Sequence, residues 1–510
     1  MLAQLLAPHK ILKRLKSAFP GLDPCDEVDL KETYRLGEKT IKAHIKDYPF
    51  EICLAPNNKI LHLYPEQLID GSDNEASMQN YLLFDPETFY SSLSGFYRLK
   101  DGDSITLGGN DAGQRALLGL SEDLPDRKLS ISNEEGWLRF KSHVSSPDSS
   151  IAPLLKDKKA QSLVNWRHAK LQKLAAIFGG TIGLLPADQA LEQLQKVNAI
   201  LEKEPHRATD DAGNPGGVIE LPDKYSVIMV GDLHAKPDNL LVVLTQNNFL
   251  DALENGSASL VIIGDAVHPE GDAELDEMES SMLIMDLILA LKLHFPSQVF
   301  YLRGNHDSFS EEIAKNGVPQ GLIWGKTLKK QRGKAYLREM KRFYELLPYV
   351  AYSRHFATCH AAPPVSDTSL KKMINIRSHP SLYNELINTR MKSATRPGGY
   401  GKRDVKRFRK CLGLAKDAPV IVGHTPQDSD DTLWEHVGDI KEHYIVYSSD
   451  TKWVGLMAQI GDKLYPFRYP VEPIMSLINS REQQSNSSKV SVSSKVSSKA
   501  NRLIRGHWPA

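Results

Sequence analysis

Five times between residues 226 and 425, a run of apolar residues stops on a short turn rich in Gly, Asp, Asn and His. Ser226-Val-Ile-Met-Val230 runs into Gly231-Asp232-Leu233-His234, and Ser259-Leu-Val-Ile-Ile263 runs into Gly264-Asp265-Ala266. Gln298-Val-Phe-Tyr-Leu302 precedes Arg303-Gly304-Asn305-His306-Asp307. Cys359-His360-Ala361 follows, and Val420-Ile-Val422 then meets Gly423-His424-Thr425. Short continuous apolar runs read as strands buried on both faces, and here they alternate with helical segments. That pattern calls for an α/β layer architecture across residues 218–470.

The placement of the polar residues carries the chemistry. A strand end delivers its next residue to the rim of a sheet, where active sites of open α/β folds lie. Glycine allows a tight turn there. Carboxylate and neutral imidazole bind divalent first-row metals. An Asp set between two such ions can bridge them, and ions about 3.5–4 Å apart clamp an in-line displacement at phosphorus. Any one of these Asp or His residues alone reads equally well as a turn residue, a helix cap or a core histidine. The ordered series does not.

The chain has 510 residues. Single cores rarely grow past roughly 250–300 residues, so more than one unit is expected. Residues 1–155 read as a mostly β N-terminal domain. Its short alternating runs include Phe50–Leu54, Lys59–Tyr64, Ser104–Leu107, Lys128–Ser132 and Gly136–Lys141, with turn-rich patches between them. Ile11–Phe19 has the pattern of a basic amphipathic helix. Residues 156–217 read as a helical linker, with Leu191, Leu194, Val197, Ile200 and Leu201 at helical spacing and Asp210–Gly217 as a loop. Residues 218–475 form the expected catalytic domain. Residues 476–510, with three Ser-Ser-Lys repeats, read as a disordered Ser/Lys-rich tail.

Bulk properties narrow the function classes. Lys plus Arg total 63 against 63 Asp plus Glu, so no global charge points to nucleic acid. No run approaches the roughly 18 apolar residues of a membrane span. Met282–Lys292 is too short and contains Asp286, so it reads as a buried helix. The N-terminus is apolar before it is basic, the reverse of a secretory signal. The four cysteines (Cys25, Cys53, Cys359, Cys411) are widely spaced and fit a reducing cytoplasm.

In this setting the five turns resemble those of the calcineurin-like metallophosphoesterases, and more closely their phosphoprotein phosphatase (Ser/Thr) branch. The stretches that carry the resemblance are Leu289–His306, Leu346-Leu-Pro-Tyr-Val-Ala351, Phe356–Pro364, Arg396-Pro-Gly-Gly-Tyr-Gly401 with Asp404-Val405, and Gly423-His424. The resemblance implies an α/β fold with a central β-sandwich flanked by helices. It implies a metal-dependent phosphomonoesterase, with a phosphoprotein or a phosphorylated small molecule as substrate and neither membrane nor nucleic acid as partner. It places Asp232 and His234 on a first metal, Asp265 between two metals, and Asn305, His360 and His424 on the second. It puts His306 at the leaving group as an imidazolium acid or a hydrogen-bond donor, Arg396 on the phosphate, and Asp307 in the catalytic set where the branch usually has Glu. Two divalent ions are implied, manganese first and iron or zinc as alternatives, with a bridging hydroxide as nucleophile. Two departures stand out. Ala235 replaces a usual glycine, and His268-Pro269-Glu270-Gly271 replaces Asp-Arg-Gly. The lost Asp normally orients the catalytic imidazole and the lost Arg normally clamps phosphate. Lys236, Arg303 and Lys402 are the candidate substitutes. This change keeps open a dinucleoside polyphosphate hydrolase or a phosphodiesterase as the alternative reading, and a phosphoprotein-binding pseudoenzyme as a rival of another class.

The N-terminal region resembles a degenerate forkhead-associated domain through Tyr97–Gly109, Asp126-Arg127-Lys128-Leu129 and Ser145–Ser150. That resemblance implies a β-sandwich suited to docking protein partners. Gly109, Asp126 and Leu129 stand where the family has its phosphate-reading arginine, its serine and its structural histidine.

Overall fold

The computed structural model describes strands and adjoining turns between residues 25 and 153, then residues 169–245, 249–428 except 394 and 396, and 431–480. The chain falls into two compact units, residues 1–90 with 94–162, and residues 163–510 with 91–93.

The first unit contains two sheets. One has five strands in the order Cys25–Glu27, Thr40–Ala43, Trp137–Ser142, Leu129–Glu134 and Ser104–Leu107. The other has six, in the order Tyr34–Arg35, Ser150–Pro153, Phe50–Leu54, Lys59–Pro65, Tyr81–Phe84 and Phe96–Leu99. Period-2 alternation sends one side of each strand inward. Phe50, Ile52 and Leu54 from one sheet and Leu129, Ile131, Leu138 and Phe140 from the other share a single buried cluster. This is a β-sandwich. Ile11–Phe19, Asp126, Arg127 and residues 145–148 lie outside the described residues.

The second unit is also built on two facing sheets. Its five-stranded sheet runs Val299–Tyr301, Ala258–Ile262, Ser226–Val230, Trp453–Ile460 and Lys463–Pro470. The first three of these are parallel. Its seven-stranded sheet runs Arg207–Thr209, Pro215–Glu220, Val350–Ser353, Phe356–Cys359, Val420–Val422, His443–Val446 and Leu433–Glu435. Phe356–Cys359, Val420–Val422 and His443–Val446 are mutually parallel. Val227, Met229, Val261 and Phe300 from one sheet pack with Ile219, Ala351, Phe356, Ile421 and Val446 from the other. The opposite face of the seven-stranded sheet is covered by the helices Leu370–Ile374, Pro380–Asn388 and Lys402–Cys411 through Met373, Leu386, Val405 and Phe408. Helices Pro237–Thr245, Phe249–Glu254 and Glu279–His294 pack with strands of the five-stranded sheet. Helices on both outer faces explain why the strands are apolar throughout rather than alternating.

The region read as a linker is part of this unit. Residues 169–177 are helical, and Ala187–Leu201 buries Ala190, Leu194, Val197 and Leu201 on one face. That helix bonds its neighbours through Asn198 Nδ2 to the Glu339 carbonyl at 3.0 Å and Gln193 Nε2 to the Asp286 carbonyl at 2.7 Å. The segment read as a loop makes a hairpin, and Pro215–Glu220 continues into the sheet beside Val350–Ser353. Gly216 and Gly217 are needed there because a Cβ at either would strike the chain at Met373–Ile376. Met282–Lys292 lies within the Glu279–His294 helix. Its Asp286 is buried in a two-point pair with Arg332, at 3.1 and 2.7 Å. The tail begins later than its composition indicated. Residues 474–480 are helical, with Ile474 and Ile478 buried and Asn479 bonded to both backbone groups of Ile182. Residues 481–510 lie outside the described residues.

Candidate metal centre

The parallel strands of both sheets present their carboxyl ends along one edge of the sandwich, and the five turns meet there. They are hydrogen-bonded to one another. Leu233 N and His234 N each donate to the Asp265 carbonyl at 3.0 Å, and Ala235 N donates to the Ala266 carbonyl at 2.7 Å. Gly423 N donates to the His360 carbonyl at 2.7 Å, and His424 N donates to both Asp232 oxygens at 3.0 and 3.1 Å. Glycine is required for the close approach. A Cβ on Gly304 would lie 2.8 Å from Asp265 Cγ, and one on Gly264 would lie 2.7 Å from Gly304 N.

His234, Ala235, Asp265, His268 and His424 all have positive φ, from 37° to 71°. Non-glycine residues adopt that region at a cost, and such strain gathers where surrounding structure holds residues in place for function. Here the strain turns successive side chains into one pocket instead of letting the turns relax.

The ligating atoms form two overlapping clusters, His234 with Asp265 and His306, and Asp265 with His360 and His424. Asp265 belongs to both. Asp232 flanks them, its Oδ2 3.7 Å from His234 Nε2 and its Oδ1 3.9 Å from His360 Nδ1. Backbone carbonyls fix two ring orientations. His360 Nδ1 lies 2.8 Å from the Ile263 carbonyl, and His234 Nδ1 lies 3.1 Å from the His268 carbonyl. A carbonyl only accepts, so each Nδ1 carries a proton, and each Nε2 is the nitrogen left to take either a second proton or a cation. His360 Nε2 then faces Asn305 Oδ1 at 3.0 Å and Asp265 Oδ2 at 3.1 Å, and Asp265 Oδ2 is buried without a hydrogen bond. With a cation in place of a proton on His360 Nε2, these three atoms would all face it. This donor set fits a divalent cation.

The electrostatics point the same way. Burial works to lower His360, but the Asp265 and Asp232 carboxylates outweigh it and hold it at about 9. Burial likewise opposes charge on His234, yet Glu270, Asp232 and Asp265 raise it to about 10. The carboxylates therefore place demand for positive charge at these two Nε2 atoms. Burial, His360 and Arg390 hold His424 down at about 3, leaving its imidazole neutral and free to ligate.

His306 joins the first cluster, its ring 4.9 Å from that of His234. Burial and the imidazoles of His234, His268, His360 and His424 hold it well below the ordinary histidine value. Of the two forms expected from sequence, imidazolium acid or hydrogen-bond donor, this environment favours the neutral ring. Its Nδ1 lies 3.1 Å from His268 Nδ1. Asp307 is fully buried. It accepts from the Tyr301 hydroxyl at 2.7 Å, Gly304 N at 2.8 Å and Asp265 N at 3.4 Å, and so braces two turns from beneath. Arg396 lies outside the described residues. Arg303 is bonded to the Tyr344 carbonyl, with its guanidinium 5.2 Å from the Tyr344 ring centre. Lys236 pairs with Glu274 at 3.8 Å, and Lys402 is exposed at the start of its helix.

Four residues at the site escaped the sequence reading. Tyr447 pairs in a parallel bridge with Asp232, and Glu270 lies 3.7 Å from His234 Nε2. Lys315 reaches Glu270 at 3.0 Å. Arg390 acts on His424. Only Glu270 left a trace in the sequence, as part of the segment that departs from Asp-Arg-Gly.

Residues 225–444 match the calcineurin-like phosphoesterase family. The chain is 24% identical over 261 residues to mouse serine/threonine-protein phosphatase with EF-hands 1, covering 50% of this chain and 35% of that protein. It is 40% identical over 81 residues to Drosophila melanogaster serine/threonine-protein phosphatase rdgC, covering 16% of this chain and 10% of that one. The chain thus spans about a third and a tenth of the length of these relatives. Among solved structures, a Saccharomyces cerevisiae protein serine/threonine phosphatase with similarity to human phosphatase PP5 aligns with a TM-score of 0.42 and 14% identity, over 56% of this chain and 91% of that one. A cold-active protein-tyrosine phosphatase of a Shewanella species aligns with a TM-score of 0.34 and 13% identity, over 50% and 83%. Among the described residues no helix is long and apolar enough to cross a membrane. Residues 225–444 are a calcineurin-like phosphoesterase domain.

Proposed function

We propose that the chain is a metal-dependent phosphomonoesterase acting on phosphoserine or phosphothreonine in proteins. The observation that carries this reading is the sharing of Asp265 between two ligand clusters. Asp232, His234 and Asp265 would hold one divalent cation, and Asp265, Asn305, His360 and His424 the other, with manganese as the expected ion. Such ions supply Lewis acidity toward phosphoryl oxygen and make water a nucleophile near neutral pH.

The chain's own residues do the rest. The Ile263 and His268 carbonyls hold the His360 and His234 rings in their ligating tautomers. Asp307 and Tyr301 fix the two turns that carry Asp265 and Asn305. His268 holds His306 through Nδ1, leaving Nε2 to donate a hydrogen bond to the departing alkoxide. Arg390 contributes cationic charge toward His424, and Arg396 is the phosphate-clamping arginine that the family resemblance implies. The free thiols of Cys53, Cys359 and Cys411 fit a reducing compartment such as the cytoplasm.

The test is phosphate release from a phosphoserine peptide, compared with a phosphodiester and a dinucleoside polyphosphate, in Mn²⁺ and in chelator. Chelator-sensitive release from the peptide supports the proposal. Preference for the diester or the dinucleotide would assign the same centre to a different substrate class.

A further inference from the structure

A phosphate held by two cations still presents outward oxygens, which need donors from the protein. Pro269 supplies none, and Arg303 is committed to Tyr344. On the His234 side a different set converges. Glu270 accepts from Lys315 Nζ at 3.0 Å and from the Tyr447 hydroxyl, and its Oε1 lies 3.7 Å from His234 Nε2. Ammonium and phenol around one anion are two donors that suit a tetrahedral oxyanion equally well, while His234 Nε2 is kept for the metal.

The supports of this set are firm. Tyr447 is held to Asp232 by the parallel bridge, and its ring lies 6.2 Å from that of His234. The Lys315 loop is tied to the Glu270 loop by Asn316 Nδ2 to Asp272 Oδ1 at 2.8 Å. Gln320 Nε2 adds bonds to the carbonyls of Pro269 at 2.7 Å and Leu275 at 3.1 Å. Glu270 is different. Its side chain is about one-third exposed, at 32%, so it can swing out to water.

We propose that Lys315 and Tyr447 form an oxyanion-binding rim on the His234 side of the site, and that Glu270 is an internal carboxylate that fills this rim until a phosphate displaces it. The inference rests on the phosphatase reading. Entry of phosphate exchanges one anion for another around the same donors. Lys315 therefore stays paired throughout, and the free site resists smaller or weakly charged ligands.

The experiment uses the full chain loaded with Mn²⁺ and measures inorganic phosphate binding by calorimetry, with metal content and the KM and kcat for p-nitrophenyl phosphate alongside. A charge-assisted hydrogen bond is worth enough to set the scale, so Lys315→Met and Tyr447→Phe should each weaken phosphate on the order of tenfold. Lys315→Arg should retain binding. Glu270→Gln should tighten phosphate on the order of tenfold, because the competing charge is gone. Unchanged phosphate affinity in Lys315→Met and Tyr447→Phe overturns the rim. Loss of a metal ion in Glu270→Gln also overturns it, by making Glu270 a ligand. Absence of any phosphomonoester turnover by the metal-loaded wild-type chain overturns the phosphatase reading, whereas normal wild-type turnover with unshifted phosphate affinity in the variants overturns the rim alone.

Discussion

Gly304 sits directly against the shared carboxylate, which makes Gly304→Ala a sharp test of how the centre is built. The added Cβ would lie 2.7 Å from Asp265 N and 2.8 Å from Asp265 Cγ, nearer still to Oδ1. Carbon atoms in contact prefer about 3.5–4.0 Å, so one partner must move by on the order of 1 Å. Neither can move freely. Gly304 N is bonded to Asp307 at 2.8 Å, and Asp265 Oδ1 accepts from His306 N at 2.8 Å. The displacement therefore falls on Asp265, Asn305 or His306. A shift of about 1 Å at reacting groups costs on the order of 100-fold in rate, and overpacking costs about 1–3 kcal/mol of stability. Three measurements on one sample separate these effects: chelator-sensitive phosphomonoester turnover, bound metal by mass spectrometry, and thermal unfolding. The expected result is a folded protein with metal affinity and turnover both sharply reduced. Wild-type turnover with full metal content in Gly304→Ala would show that Asp265 need not sit where the structure has it.

Further expectations concern the rest of the centre and its support. Asp265→Asn removes the carboxylate common to both clusters, so metal affinity should fall by at least about 100-fold and both ions should be lost on dialysis. Retention of two ions would refute the shared role. Ala235 has φ 58°, a conformation that costs an alanine about 1 kcal/mol, so Ala235→Gly should raise stability by a similar amount in denaturant unfolding. A lower midpoint would contradict it. Asp286→Ala leaves Arg332 buried without its carboxylate and should destabilise the unit by about 3–5 kcal/mol, while Asp286→Ala with Arg332→Met should recover much of that loss. Equal destabilisation in the single and double variants would count against a buried pair.

The candidate ligands were legible in the sequence because each follows an apolar strand, and strand ends are where a sheet offers side chains to solvent. Strand-end placement singles out Asp232, His234, Asp265, Asn305, His360 and His424 as candidates, and the family resemblance is what proposes them as ligands. The continuous apolar runs also announced the layered architecture, since only strands covered on both faces can be apolar throughout. The lower half of the chain was harder to divide. Residues 210–217 read as a loop from their Asp, Gly and Pro content, yet Gly216 and Gly217 are there because the Met373–Ile376 segment packs against that strand. Composition records the small residue but not the neighbour that demands it.

What the sequence by itself determined is local: which runs become strands, and which polar residues end them. Tertiary structure alone decided that two sheets, far apart along the chain, face each other with their carboxyl edges aligned, so that Asp265 from one meets His360 and His424 from the other. It also decided the state of each group. His306 is depressed and His360 raised although both are buried histidines, because burial and surrounding imidazoles lower the one while carboxylates outweigh burial at the other. Glu270, Lys315 and Tyr447 lie 45 and 132 residues apart along the chain, with nothing in their spacing to join them. Burial and charge depend on what surrounds a side chain in space, and that is settled only when the chain has closed on itself.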